Sequence, residues 1–119
     1  PANATFENTI TVAASGPNDE KPQWSNYGEH KVHIASPGLE IMSTLPNNSY
    51  DNLSGTSMAT PLVAGLVALL ISQEEGLSGR DARSIMQITG AKVSRCSSFY
   101  GIPFSQRSFC FPACRDDSA

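Results

Sequence analysis

A polar, turn-prone stretch, Ser54-Gly55-Thr56-Ser57-Met58-Ala59-Thr60-Pro61, passes directly into the apolar run Leu62-Val63-Ala64-Gly65-Leu66-Val67-Ala68-Leu69-Leu70-Ile71. The run has no polar face. A helix made from it belongs inside a core, since a surface helix needs one polar side. It is shorter than the about 20 apolar residues that cross a bilayer, and Pro61 and Gly65 interrupt it, so no membrane span is expected. Pro61 falls near the start, where a missing N–H costs least. The sequence therefore predicts a buried helix over Met58–Gln73, with Ser57 at its N-terminus. Backbone N–H groups are free there and the helix dipole is positive. A hydroxyl at that spot can attack a carbonyl, and the adjacent N–H groups can hold the oxyanion that forms.

Serine and threonine are also ordinary N-cap residues, and a serine before an apolar helix is usually a cap. The particular string favours chemistry. Gly-Thr-Ser-Met-Ala-Thr-Pro at 55–61, followed by Val63-Ala64-Gly65, resembles the active-site serine segment of the subtilisin family of serine proteases. The resemblance implies that Ser57 is the nucleophile. It also implies that Leu53, Ser54, Gly55 and Thr56 line the substrate cleft beside it. The family usually has His after the Pro; Leu62 stands here, beyond the chemistry.

The rest of the chain extends the likeness. Thr9-Ile10-Thr11-Val12-Ala13-Ala14 is rich in β-branched residues and runs into Ser15-Gly16-Pro17-Asn18-Asp19, which predicts a strand and a turn. Trp24-Ser25-Asn26-Tyr27-Gly28 leads to a short strand, Val32-His33-Ile34-Ala35, stopped by Ser36-Pro37-Gly38. Leu39–Leu45 is a further strand candidate, closed by Pro46-Asn47-Asn48. The order of these pieces is similar to that in subtilisins as far as about Ser94. The resemblance implies an α/β fold, the C-terminal portion of a parallel-sheet peptidase domain, over residues 1–95. After the polar stop Ser72–Gly76, Ser78-Gly79-Arg80-Asp81 opens a second helix at about Gly79–Thr89. Asp81 lies where a carboxylate favours a helix start. Ala82, Ile85, Met86 and Thr89 make one stripe at helical spacing, and Gly90 closes it.

Several tempting residues are better read as ordinary. His30 is expected on an exposed turn, and His33 on the strand face opposite Val32 and Ile34. In the family the catalytic His, the Asp and the oxyanion Asn belong to motifs absent from this sequence. They are expected upstream of Pro1, which makes the chain the inactive C-terminal part of a protease whose partner is the remainder of its own catalytic domain. The alternative is a catalytically dead binding or regulatory module. Asp51 is expected to be a solvated loop residue. Net charge is −3 with no basic patch, so nucleic acid is not an expected partner; a polypeptide substrate is. No metal site is expected in this chain. The resemblance implies calcium for the full-length protein, bound mostly by loops outside this sequence, with Glu29 a weak contributor here.

Asn3-Ala4-Thr5, Asn47-Asn48-Ser49 and Asn52-Leu53-Ser54 are N-glycosylation sequons. A glycan on Asn52 would crowd Ser57, so that sequon is expected to stay unused. Sequons and resemblance together imply a secreted or endomembrane protein. From Cys96 to Ala119 the family pattern ends. The cysteines, Cys96, Cys110 and Cys114, number three, so one has no partner within the chain; Cys110 and Cys114 could bridge. A mis-spliced or frame-shifted end is one reading of 96–119, and an intact tail in the mature transcript would remove it.

Overall fold

A computed structural model describes residues 6–28 and 31–91. Glu29, His30, the Asn3 sequon, the boundary at 95 and the cysteine-bearing tail lie outside the described residues. The described chain runs β1 (Val12–Ser15), β2 (Ile34–Pro37), β3 (Ile41–Leu45), β4 (Ser49–Leu53), α1 (Thr56–Gln73) and α2 (Gly79–Thr89).

Strands β1 and β2 pair in parallel, with Val12 opposite Ile34 and Ser15 opposite Pro37. Helix α1 packs on this pair. The contact is made of small side chains: Ala14 from β1 and Ala59 from α1 come together beside Gly38, and Ala13, Ala14, Ala59 and Val63 are all buried. Small residues let a helix approach a sheet closely, which is what the Val-Ala-Ala-Ser strand supplies. The loop from β1 to β2 folds back on β1. Buried Ser25 accepts the Ala14 N–H through Oγ at 2.9 Å. Lys21 Nζ donates to the Pro22 and Ser25 carbonyls at 3.0 Å and lies 5.3 Å from the Tyr27 ring centre.

The start of β2 is tied to β1 by His33. Its N–H donates to the Thr11 carbonyl at 2.9 Å, and its Nδ1 accepts the Thr11 N–H at 2.9 Å. His33 therefore precedes β2, and the expected alternation with Val32 and Ile34 does not arise.

Strands β3 and β4 form a separate antiparallel hairpin, Ile41 opposite Leu53 and Leu45 opposite Ser49. The sequence reading missed β4. Asp51, expected in a loop, is a β4 residue, although it is exposed and its carboxylate accepts the Asn52 N–H at 2.8 Å. Asn47 and Asn48 carry the turn at positive φ, 63° and 54°, a conformation asparagine tolerates better than most residues.

Helix α1 begins at Thr56, two residues before the expected Met58, and ends at Gln73 as expected. Its burial needs correction. Only Ala59 and Val63 are buried; Leu62, Leu66, Leu69 and Ile71 are exposed, Leu69 by 65%. The physical reason is that one two-stranded sheet and α2 cover only part of the circumference of a helix that is apolar all round. By length and composition α1 could cross a membrane; in the structure it packs on β1 and β2 instead.

Helix α2 matches expectation. Ser78 Oγ accepts the Asp81 N–H and the Asp81 carboxylate accepts the Ser78 N–H, both at 3.2 Å, a reciprocal cap. Ala82 and Met86 are buried, while Thr89 is exposed and lies off the packed stripe. Arg83 reaches the Thr9 carbonyl at 3.3 Å and Arg80 the Glu7 carboxylate at 3.4 Å, which ties α2 to the segment before β1.

Candidate active site

The site is built where β2, β4 and α1 converge. Gly38 follows β2, donates to the Ser15 carbonyl at 3.0 Å, and accepts the Gly55 N–H at 2.8 Å. A Cβ on Gly38 would lie 2.7 Å from Ala14 Cβ, 2.8 Å from the Gly55 carbonyl oxygen and 3.2 Å from Ala59 Cβ. Only glycine fits between β1, the serine loop and the first turn of α1. Ser54 adds a second tie, its Oγ accepting the Glu40 N–H at 2.9 Å. Glu40 itself sits at φ 55°, an uncommon backbone region for a residue with a side chain.

Gly55 is the N-cap of α1, with extended backbone and no side-chain cap. Its carbonyl takes the N–H groups of Met58 and Ala59, at 3.0 and 3.3 Å. The N–H groups of Thr56 and Ser57 therefore have no intrahelical partner. No acidic residue occupies the first turn. The result is an uncovered positive helix end carrying two amide donors and the exposed Ser57 hydroxyl.

Pro61 lies inside α1 rather than at its first position. It removes the N–H that would otherwise bond the Ser57 carbonyl. One residue earlier, Thr60 Oγ1 donates to the Thr56 carbonyl at 2.8 Å. Ser57 thus sits in a helix turn whose hydrogen bonding is incomplete at both its N–H and its C=O.

The structure brings the other expected cleft residues to the same corner. Leu53, Gly55 and Thr56 are half-buried and Ser54 is exposed. Ser54 spends its hydroxyl on the Glu40 N–H, a tie between residues 14 apart that no local pattern announces. Gly38 as the pivot carries no sequence signal beyond its place directly after Pro37, the last residue of β2.

Among the described residues no histidine or carboxylate hydrogen-bonds the Ser57 hydroxyl. His33 is committed to Thr11. Partial burial, and then the nearby Arg83 guanidinium, hold its pKa below the ordinary histidine value, so it is kept neutral. Among the described residues no group of three His, Cys, Asp or Glu side chains is placed to hold a metal ion.

Comparison with known proteins supplies the family. The model of the Subtilase family matches residues 1–102. Thermitase from Thermoactinomyces vulgaris is 43% identical over 97 residues, which are 82% of this chain and 34% of thermitase. Subtilisin-like protease 2 of Plasmodium falciparum is 50% identical over 72 residues, 60% of this chain and 5% of that protein. Among solved structures, a cold-adapted subtilisin-like serine proteinase matches with a TM-score of 0.64 at 34% identity, covering 67% of this chain and 29% of that one. The prenylagaramide maturation protease PagA matches with a TM-score of 0.70 at 28% identity, covering 78% of this chain and 35% of that one. The chain thus spans about a third of the length of thermitase. With the serine string at the head of α1, the parallel β1–β2 pair beneath it and a family match over most of its length, the chain belongs to the subtilase family.

Proposed function

We propose that Ser57 is the nucleophile of a serine endopeptidase and that this chain supplies the serine-bearing part of its catalytic domain. The observation that carries the reading is the open N-terminus of α1, where the Ser57 hydroxyl and two amide donors without intrahelical partners share one positive helix end. Ser57 Oγ adds to the carbonyl carbon of a scissile peptide bond, and its proton passes to a histidine base. The Ser57 N–H donates to the oxygen that gains charge. Collapse of the tetrahedral intermediate expels the amine and leaves an acyl-serine, which water hydrolyses. Leu53, Ser54, Gly55 and Thr56 form the adjoining cleft wall.

The base, the acid that orients it and the oxyanion asparagine come from other segments of the catalytic domain. His33 and Asp51, the His and Asp nearest the serine string within the described residues, are bonded elsewhere. The chain alone is therefore inactive, because a serine hydroxyl without a base is a poor nucleophile near neutral pH. Those other segments of the domain cover Leu62, Leu66, Leu69 and Ile71, which are exposed among the described residues. Polypeptide substrates, calcium in the full-length protein with Glu29 contributing, and passage through the secretory or endomembrane system complete the proposal.

Complementation tests it. Mixed with the remaining segments of the catalytic domain, the chain should hydrolyse a peptide substrate, and Ser57→Ala should not. Equal turnover by the Ser57→Ala variant would overturn the assignment. A wild-type mixture that assembles without turnover would favour the binding or regulatory module.

A further inference from the structure

The geometry points to Asn47 as an N-glycan acceptor, in preference to the neighbouring sequon at Asn52. This rests on the reading that the chain passes through the secretory pathway. An acceptor needs the pattern Asn-x-Ser/Thr with x not proline, and Asn47-Asn48-Ser49 satisfies it.

The fold places that sequon where a large, hydrated substituent costs nothing. Leu45 and Ser49 are the last paired residues of the hairpin, so Asn47 is the middle of the three residues that turn the chain. It is exposed and at positive φ. Ser49 Oγ donates to the Pro46 carbonyl at 2.9 Å, closing the turn behind it. Nothing among the described residues packs over the tip.

Asn52 is placed differently. It lies in β4 opposite Met42, next to Leu53 and in the stretch that leads straight to Gly55 and Ser57. From Ser49 to Leu53, β4 rises about 14 Å. A glycan on Asn47 is therefore held at the far end of the hairpin from the serine, whereas one on Asn52 would leave the exposed outer face beside Met42, at the end of β4 that runs into the serine loop. The outer hairpin face also carries Met42 and Tyr50, 65% and 70% exposed.

The transfer balances with one co-reactant, a polyisoprenyl-diphosphate-linked oligosaccharide. Asn47 Nδ2 forms a bond to the anomeric carbon. The bond from that carbon to the diphosphate oxygen breaks, and the diphosphate leaves with the electron pair. The amide proton passes to a base on the transferase.

The test is secretion of the full chain from insect cells behind a heterologous signal peptide, with a control sequon in an N-terminal tag. Glycosidase release in heavy-oxygen water, followed by peptide mass spectrometry, then reads each asparagine separately. Sugar is expected on Asn47 and not on Asn52. Asn47→Gln should lose one glycan and Asn52→Gln none. A glycosylated control with unmodified Asn47, or sugar on Asn52 in place of Asn47, overturns the proposal. Because the leader is supplied, these outcomes judge the site itself. The native destination of the protein is judged separately, by locating the protein expressed with its own leader.

Discussion

The amide of Gly55 donates to the carbonyl of Gly38 at 2.8 Å, and this bond fixes the start of α1 to the end of β2. The glycine at 38 lets Ala14, Ala59 and the Gly55 carbonyl meet around one point. The position of the serine follows from this contact, because Ser57 is two residues beyond Gly55 on a helix whose first turn cannot shift without opening it.

Gly38→Ala should therefore damage both fold and site. The added methyl meets backbone as well as side chains, so neighbours cannot simply rotate away. Overpacking of this kind costs about 1–3 kcal/mol. In the assembled catalytic domain, a thermal melt should show the loss of stability, and the rate of acylation at Ser57 should fall at least tenfold. Unchanged values of both would show that the pivot is not rigid.

Pro61→Ala restores an N–H that can bond the Ser57 carbonyl. The helix should straighten at its first turn and gain stability of its own, while acylation slows because the serine has been moved. Melting and acylation rate should thus change in opposite directions. A variant that gains in both would show that the proline has no part in placing Ser57.

His33 gives a pH dependence of known sign. Its native pKa is depressed, by burial first and by Arg83 second, and the Nδ1 bond to Thr11 needs the neutral ring. The unfolded chain therefore binds the proton more readily. The contribution of His33 is complete above the ordinary histidine value of about 6.5 and is lost as pH falls through the lower native value. Melting temperatures should drop more steeply between pH 7 and 5 for the wild type than for His33→Gln. Parallel profiles would remove His33 from the account.

Ser78→Ala removes one half of the reciprocal cap on α2 and should cost about 1 kcal/mol. It also removes the hydroxyl bond that is the first cause of the lowered Asp81 pKa, while the Ser78 backbone N–H continues to donate to the carboxylate. The stability carried by that depressed carboxylate is present above its unfolded value and lost as pH falls toward the native one. In Ser78→Ala, acid melts should lose the hydroxyl's share of this slope.

How far these features could be read in advance depended on how local their causes are. Helix α2 was legible because Ser78 and Asp81 make the cap and because Ala82 and Met86 recur at helical spacing. Strands near Val12 and Ile34 were legible from β-branched residues bounded by Gly and Pro, although β1 starts three residues later than Thr9; their parallel pairing was implied only by the family resemblance. Strand β4 was not, since Ser-Tyr-Asp-Asn has no apolar alternation and its pairing depends on β3; Asn47-Asn48 was its one signal. The burial of α1 could not be judged from its own residues, because cover is a property of what surrounds it. The pivot at Gly38 was invisible for the same reason, its neighbours at 14, 55 and 59 being distant or on another element.

The exposed side of α1 makes its own prediction. Leu66→Ser should leave the melting of the isolated chain almost unchanged and reduce its self-association, since Leu66 is exposed there. In the assembled catalytic domain the same change should cost roughly 2–5 kcal/mol, as for loss of a buried leucine. Equal effects in both settings would mean that no other segment covers this face.

A fluorophosphonate probe is the most direct test of Ser57. Applied to a catalytic domain that contains this chain, it should attach to a single serine, and tandem mass spectrometry should place the adduct on Ser57, with Ser57→Ala unlabelled. An adduct on any other residue, or none on Ser57 in a domain that hydrolyses peptides, would contradict the account.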